Sequence, residues 1–146
     1  MCVLQNKRIL AVKRRQIHVP AGTYIVSKSL LIKGSNQSSF TKTYYHAPIF
    51  GDGMSVSIIK ASPSGSWTTA TNSSNLAVVF FPSCCGALPQ SGGGFYIRDL
   101  NIQANSAADY GVLAPAVQSS VFRRLYITGA RVGGLMYVAD LLESTH

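Results

Sequence analysis

A chain of 146 residues has room for one domain, or for four to five coils of a longer solenoid. With 47% apolar and 12% charged residues it is no disordered polyelectrolyte, no apolar run is long enough for a spanning helix, and 13 glycines among many Ser, Thr and Asn favour strands and turns over helices. The net charge of +8, with 13 Lys and Arg against five acids, favours a polyanion without choosing among nucleic acid, acidic polysaccharide and anionic membrane.

Residues 1–16 form a basic segment whose one apolar run is Ile9-Leu10-Ala11-Val12, followed by Lys13-Arg14-Arg15. It reads either as a cap over the open end of a solenoid or as a basic arm. The start lacks the ordered basic, apolar and small-residue regions of a signal peptide, so no export signal is expected in this chain. Ile17 to Val26 then reads as strand, tight turn, strand, with Pro20 and Gly22 shaping the turn. Leu30 to Gly34 is the next strand, and Ser35 to Tyr45 a polar loop. Ile49 to Gly53 follows as strand and turn, and Val56 to Ile59 as a short strand. Ser62 to Asn75 is an excursion that contains Trp67, either a sugar platform or the lid of a small satellite core. The continuous apolar run Leu76 to Phe81 predicts a strand either buried on both faces or packed under a loop, and Pro82 to Gly94 is a further break. Cys2 and the adjacent Cys84 and Cys85 make neither a disulfide framework nor a spaced metal motif.

The strongest organisational signal comes next. Ile97-Arg98-Asp99-Leu100-Asn101-Ile102 returns as Phe122-Arg123-Arg124-Leu125-Tyr126-Ile127, and each copy leads into a glycine-containing apolar segment. A fixed period in the range of roughly 20 to 50 residues marks a repeat that buries its apolar face by stacking on its neighbour. The expected fold is therefore all-β, a right-handed parallel β-helix of about four to five coils over residues 17–137, with residues 138–146 as a C-terminal end.

Period-2 alternation that turns Leu100, Ile102, Leu125 and Ile127 inward turns Asn101 and Tyr126 outward as stacked neighbours. A tyrosine ring beside an amide suits a sugar, the ring covering C–H faces while the amide bonds hydroxyls. The same register places Arg98 beside Arg123 and Asp99 beside Arg124, an ion pair with cationic excess that suits carboxylates. A solvated ladder and a structural corner are the plainer readings of the same residues. The five acids, Asp52, Asp99, Asp109, Asp140 and Glu143, are scattered, so no glycosidase dyad and no calcium cluster is expected. Asp52, between two glycines, reads as a turn residue; His18 and His46 have no carboxylate or cysteine at ligand spacing and read as structural.

Three elements in order, Val19-Pro20-Ala21-Gly22-Thr23-Tyr24, then Gly51-Asp52-Gly53 leading into Ser57-Ile58-Ile59-Lys60, then Phe95 to Ile102, resemble the pectate-lyase-like superfamily. More narrowly, they resemble the N-terminal coils of the β-helix domain of polysaccharide lyases, some glycoside hydrolases and viral tail spikes. The resemblance implies a carbohydrate-active domain acting on or binding an acidic polysaccharide, with an arginine able to serve as base in a lyase. It implies calcium as a cofactor where nothing else does, an extracellular or virion setting, and a trimer if the chain is spike-like. The family's paired-aspartate segment ahead of the Pro-Ala-Gly-Thr-Tyr element has no counterpart in residues 1–16, so a fragment or shortened relative that self-associates is expected. The alternative is a noncatalytic glycan-binding or structural module of a tail spike or adhesin. Specific nucleic-acid binding is not expected, since Lys13-Arg14-Arg15 lacks aromatic interleaving.

Overall fold

The computed structural model describes residues 16–32, 47–68, 75–81, 96–117 and 120–139. The basic N-terminal cap or arm, the loop from Ser35 to Tyr45, His46, the break from Pro82 to Gly94, the three cysteines, and Asp140 and Glu143 in the C-terminal end lie outside the described residues. What is described is all-β, with no helix. The strands are β1 (Ile17–Val19), β2 (Gly22–Val26), β3 (Leu30–Leu31), β4 (Ile49–Gly51), β5 (Ser57–Ala61), β6 (Ala77–Phe80), β7 (Tyr96–Gln103), β8 (Tyr110–Val117), β9 (Val121–Thr128) and β10 (Gly133–Ala139).

Every pairing among them is parallel. β1 and β2 do not pair with each other across the Pro20-Ala21 turn; β1 pairs with β4 and β2 with β5. β7 then takes β4 along its first half and β5 along its second, with β9 on its other side over its whole length. One sheet thus contains two runs of strand segments joined through β7 and β9. The second sheet runs β3-β6-β8-β10. The joints are Asp99 and Arg124, whose φ angles of 59° and 48° put two ordinary side chains in the left-handed region and break the ladder between the pairs Arg98–Arg123 and Leu100–Leu125.

Both sheets bury their inner faces in one core. Ile17, Ile49, Ile97 and Phe122 stand in register on β1, β4, β7 and β9, and Ile59, Ile102 and Ile127 on β5, β7 and β9. Val79, Val112 and Ala114 meet them from the second sheet. The expected inward set is there: Leu100 and Ile102 are fully buried, and Leu125 and Ile127, one strand further out, pack half-buried against the same core. β6 is buried on both faces, with Leu76 and Ala77 joining Leu113 in a second small cluster. Gly111 in β8 is closely packed from both sheets: a Cβ there would stand 2.2 Å from Ile127 Cγ2 of the larger sheet and 2.8 Å from the Gly134 carbonyl oxygen of its own. Glycine is required there by space.

Candidate functional site

Register on the outer face builds two columns of side chains that cross the strands. The first is His18, Phe50, Arg98 and Arg123, contributed by β1, β4, β7 and β9. The second is Thr23, Ile58, Asn101 and Tyr126, contributed by β2, β5, β7 and β9. Between them runs the corner that holds Asp99 and Arg124.

The corner is an ion cluster. Asp99 accepts from Arg98 Nη1 and from Arg124 Nε, and Arg124 Nη2 closes a second bond to Asp99 Oδ2 at 2.9 Å. Arg124 therefore grips the carboxylate with two prongs. Its hydrogen bonds hold the Asp99 carboxyl far below the usual carboxylate range, with Arg98 adding to the effect and desolvation opposing it. Reciprocally, Asp99 raises the already high pKa of Arg124. Two of the three arginines expected to form a cationic strip thus share one internal anion, which leaves the cluster with a single net positive charge. Arg123 is exposed and takes part in none of the ion pairs among the described residues.

The second column contains a polar group out of balance. Asn101 and Tyr126 are register partners, as their spacing predicts, and Tyr126 is 56% exposed. Asn101, however, keeps only 9% of its surface, because a central strand between β5 and β9 flanks it with Ile58 on one side and Tyr126 on the other. This corrects the expectation of an exposed amide: alternation sets which face a residue takes, while neighbours set how much of it is wet. Asn101 Oδ1 is buried and has no hydrogen-bond partner among the described residues.

The first column contains a pairing that spacing along the chain does not reveal. His18 Nε2–H donates to Asp52 Oδ1 at 2.7 Å, while Oδ2 accepts the Ala21 N–H at 2.9 Å. The expectation of a histidine without a carboxylate partner is therefore overturned, since parallel pairing of β1 with β4 brings together groups 34 residues apart. The His18 bond, followed by the Ala21 N–H, lowers the Asp52 pKa. Asp52 remains the turn residue its glycine neighbours suggest; its own N–H donates to Ser57 Oγ at 2.8 Å, and that buried hydroxyl donates to the Val19 carbonyl at 2.9 Å. The signal available in the sequence was the likeness of Ile17-His18-Val19 and Ile49-Phe50-Gly51, each an apolar, ring-bearing and small residue ahead of a turn. His18 stacks on Phe50 with ring centroids 5.0 Å apart, and the Arg98 guanidinium lies 4.9 Å from the Phe50 centroid.

Trp67 is half-buried against the core, and its indole N–H donates to the Ser62 carbonyl at 2.8 Å. It packs on the main core and not on a small satellite cluster. Asp52, Asp99 and Asp109 are each engaged, by His18, by Arg98 and Arg124, and by Arg131. No three His, Cys, Asp or Glu among the described residues gather as a group that could hold a metal ion. No helix among the described residues is long and apolar enough to cross a membrane. Compared with known proteins, the chain matches no family model, no curated protein and no solved structure.

Proposed function

We propose that this chain is a length of right-handed parallel β-helix, similar to the pectate-lyase-like superfamily, whose outer corner face binds an acidic glycan. The solenoid reading is supported by the order of the pairings, in which β4 and β5 pair with β1 and β2, and β9 and β10 with β7 and β8. The last two pairings advance by nearly equal steps, from Ile97 to Phe122 and from Val112 to Leu135. The observation that carries the functional reading is the exposed Tyr126 ring, on the strand that also bears the exposed Arg123, beside Asn101, whose buried oxygen has no donor among the described residues. A ring to stack on, an acceptor for a hydroxyl and a cation for a carboxylate form a complementary set for a uronic acid.

Binding without turnover is the form of this reading that the electrostatics favour. Asp99 is held ionised and Arg124 held protonated by each other, so neither is poised to exchange a proton near neutral pH. The experiment is titration calorimetry with oligogalacturonate on the wild type, Tyr126→Ala and Arg123→Gln at low and high salt, with ultraviolet absorbance followed for an unsaturated product. Binding that drops about tenfold in each variant, weakens with salt and produces no absorbance is expected. Unchanged affinity in both variants overturns the assignment of this face, and growing absorbance overturns its noncatalytic character.

A further inference from the structure

We infer that Asn101 is a specificity-determining residue, which admits a sugar carrying a free hydroxyl where a neighbouring ester would be refused; the inference rests on the glycan-binding reading. Asn101 Oδ1 is buried and accepts no hydrogen bond from the described residues. Such an oxygen destabilises the folded chain, because it has given up its hydration and received nothing in return. Core packing does not require the amide: the inward positions on either side, Leu100 and Ile102, are fully buried, and the adjoining residue in the same column on β5 is Ile58. An apolar side chain would suit that column, so the polar one stands where only an incoming donor satisfies it.

The flanking residues say which donor. Tyr126, the register partner of Asn101, is 56% exposed, and binding requires its ring to turn aside and stack on a ligand ring so that the amide oxygen is reached. Arg123, earlier on β9, offers its guanidinium to an anion, while Arg98 and Arg124 are occupied by Asp99. A carboxylate is an acceptor and repels Oδ1; a hydroxyl donates to it. The ligand unit must therefore bring both groups, an anion for Arg123 and a hydroxyl for Asn101. A uronic acid with its hydroxyls free meets both demands, and the same unit with O-acetyl groups loses the second. A site built to bond a hydroxyl discriminates strongly against a ligand lacking it, since its own polar group is then left unpaired.

The test joins stability to selectivity. Oligogalacturonate and its O-acetylated form are titrated into the wild type and Asn101→Leu, and the melting temperature of each protein is measured without ligand. The expected result is an Asn101→Leu protein that melts higher than the wild type, binds oligogalacturonate at least tenfold more weakly, and no longer distinguishes the two ligands, while the wild type prefers the unacetylated form at least tenfold. A variant that melts lower and keeps the wild-type preference overturns the inference and makes Asn101 structural. Equal affinity of the wild type for the two ligands also overturns it, with no reliance on the variant folding. A wild type that binds neither overturns the glycan-binding reading itself.

Discussion

At Asp99 and Arg124 two residues with side chains adopt a backbone that glycine adopts more readily, at equivalent places on neighbouring strands, and the bond between them joins positions well separated in sequence. The ion pair offsets the strain by requiring both side chains to leave the corner in the same direction. Its pH dependence follows from the depressed Asp99 pKa. The carboxylate's contribution to stability is complete above the ordinary unfolded value near 4 and is lost as pH falls below that value towards the folded one. Asp99→Asn, which tolerates the left-handed backbone but carries no charge, should therefore lower the melting temperature at pH 7 and flatten the decline of stability between about pH 4 and pH 2. Thermal melts across that range check it, and a parallel decline in wild type and variant would show that other carboxylates dominate. This pair was legible in the sequence because a repeat of fixed period maps directly onto in-register neighbours. The bond between His18 and Asp52 was not, since it depends on the step from Ile17 to Ile49, which no other pairing in that sheet repeats. The burial of Asn101 was hidden for a different reason: alternation concerns one strand, and coverage comes from the strands beside it.

Among the elements, β7 holds the centre of the larger sheet and β9 its outer side, and their matching residues differ in burial accordingly. Leu100 is fully buried and Leu125 partly so, although they are register partners of the same type. Leu100→Ala should cost about 2 to 5 kcal/mol and Leu125→Ala distinctly less, measured by urea unfolding with unchanged slope. The contact at Gly111 makes a second comparison. Gly111→Ala drives a methyl into Ile127 and the Gly134 carbonyl and should cost about 1 to 3 kcal/mol, whereas at Gly133 the nearest atoms lie 3.7 Å away on the Tyr110 ring. Gly133→Ala should stay close to the wild type in the same assay. Most strands were readable from alternation and turn residues, including β6 as a buried apolar run. Their partners were readable only for β7 to β10, where the step from Ile97 to Phe122 nearly matches that from Val112 to Leu135. The earlier steps, from Ile17 to Ile49, from Ile49 to Ile97 and from Leu30 to Val79, are longer and interrupted by excursions, so at most the three-residue likeness of Ile17-His18-Val19 to Ile49-Phe50-Gly51 survives, too short to fix a partner.

For the molecule as a whole, the parallel arrangement leaves β9 and β10 with one partner each among the described strands. Along that side Val121, Tyr126 and Leu135 are exposed, and the backbone groups of an edge strand invite another strand. Association that grows with concentration is expected in light scattering, and a clean monomer at high concentration would count against it. The charge of +8 opposes such contacts through repulsion, so added salt should promote association. The same salt should weaken glycan binding, and the two responses can be separated by dilution.

The clasp on Asp99 has one more consequence, for the number of ions that binding sets free. Arg98 and Arg124 share one counter-ion within the protein, covalently tethered, so together they hold mobile anions for one positive charge rather than two. A polyuronate arriving at this corner exchanges places with the solution ions around Arg123 and around the one positive charge left on the cluster. Plotted as the logarithm of affinity against the logarithm of salt concentration, its binding should fall with a slope of about two rather than about three. Releasing the tether with Asp99→Asn should steepen that slope and strengthen binding together, turning a corner that supplies part of its own neutrality into one that seeks all of it from outside.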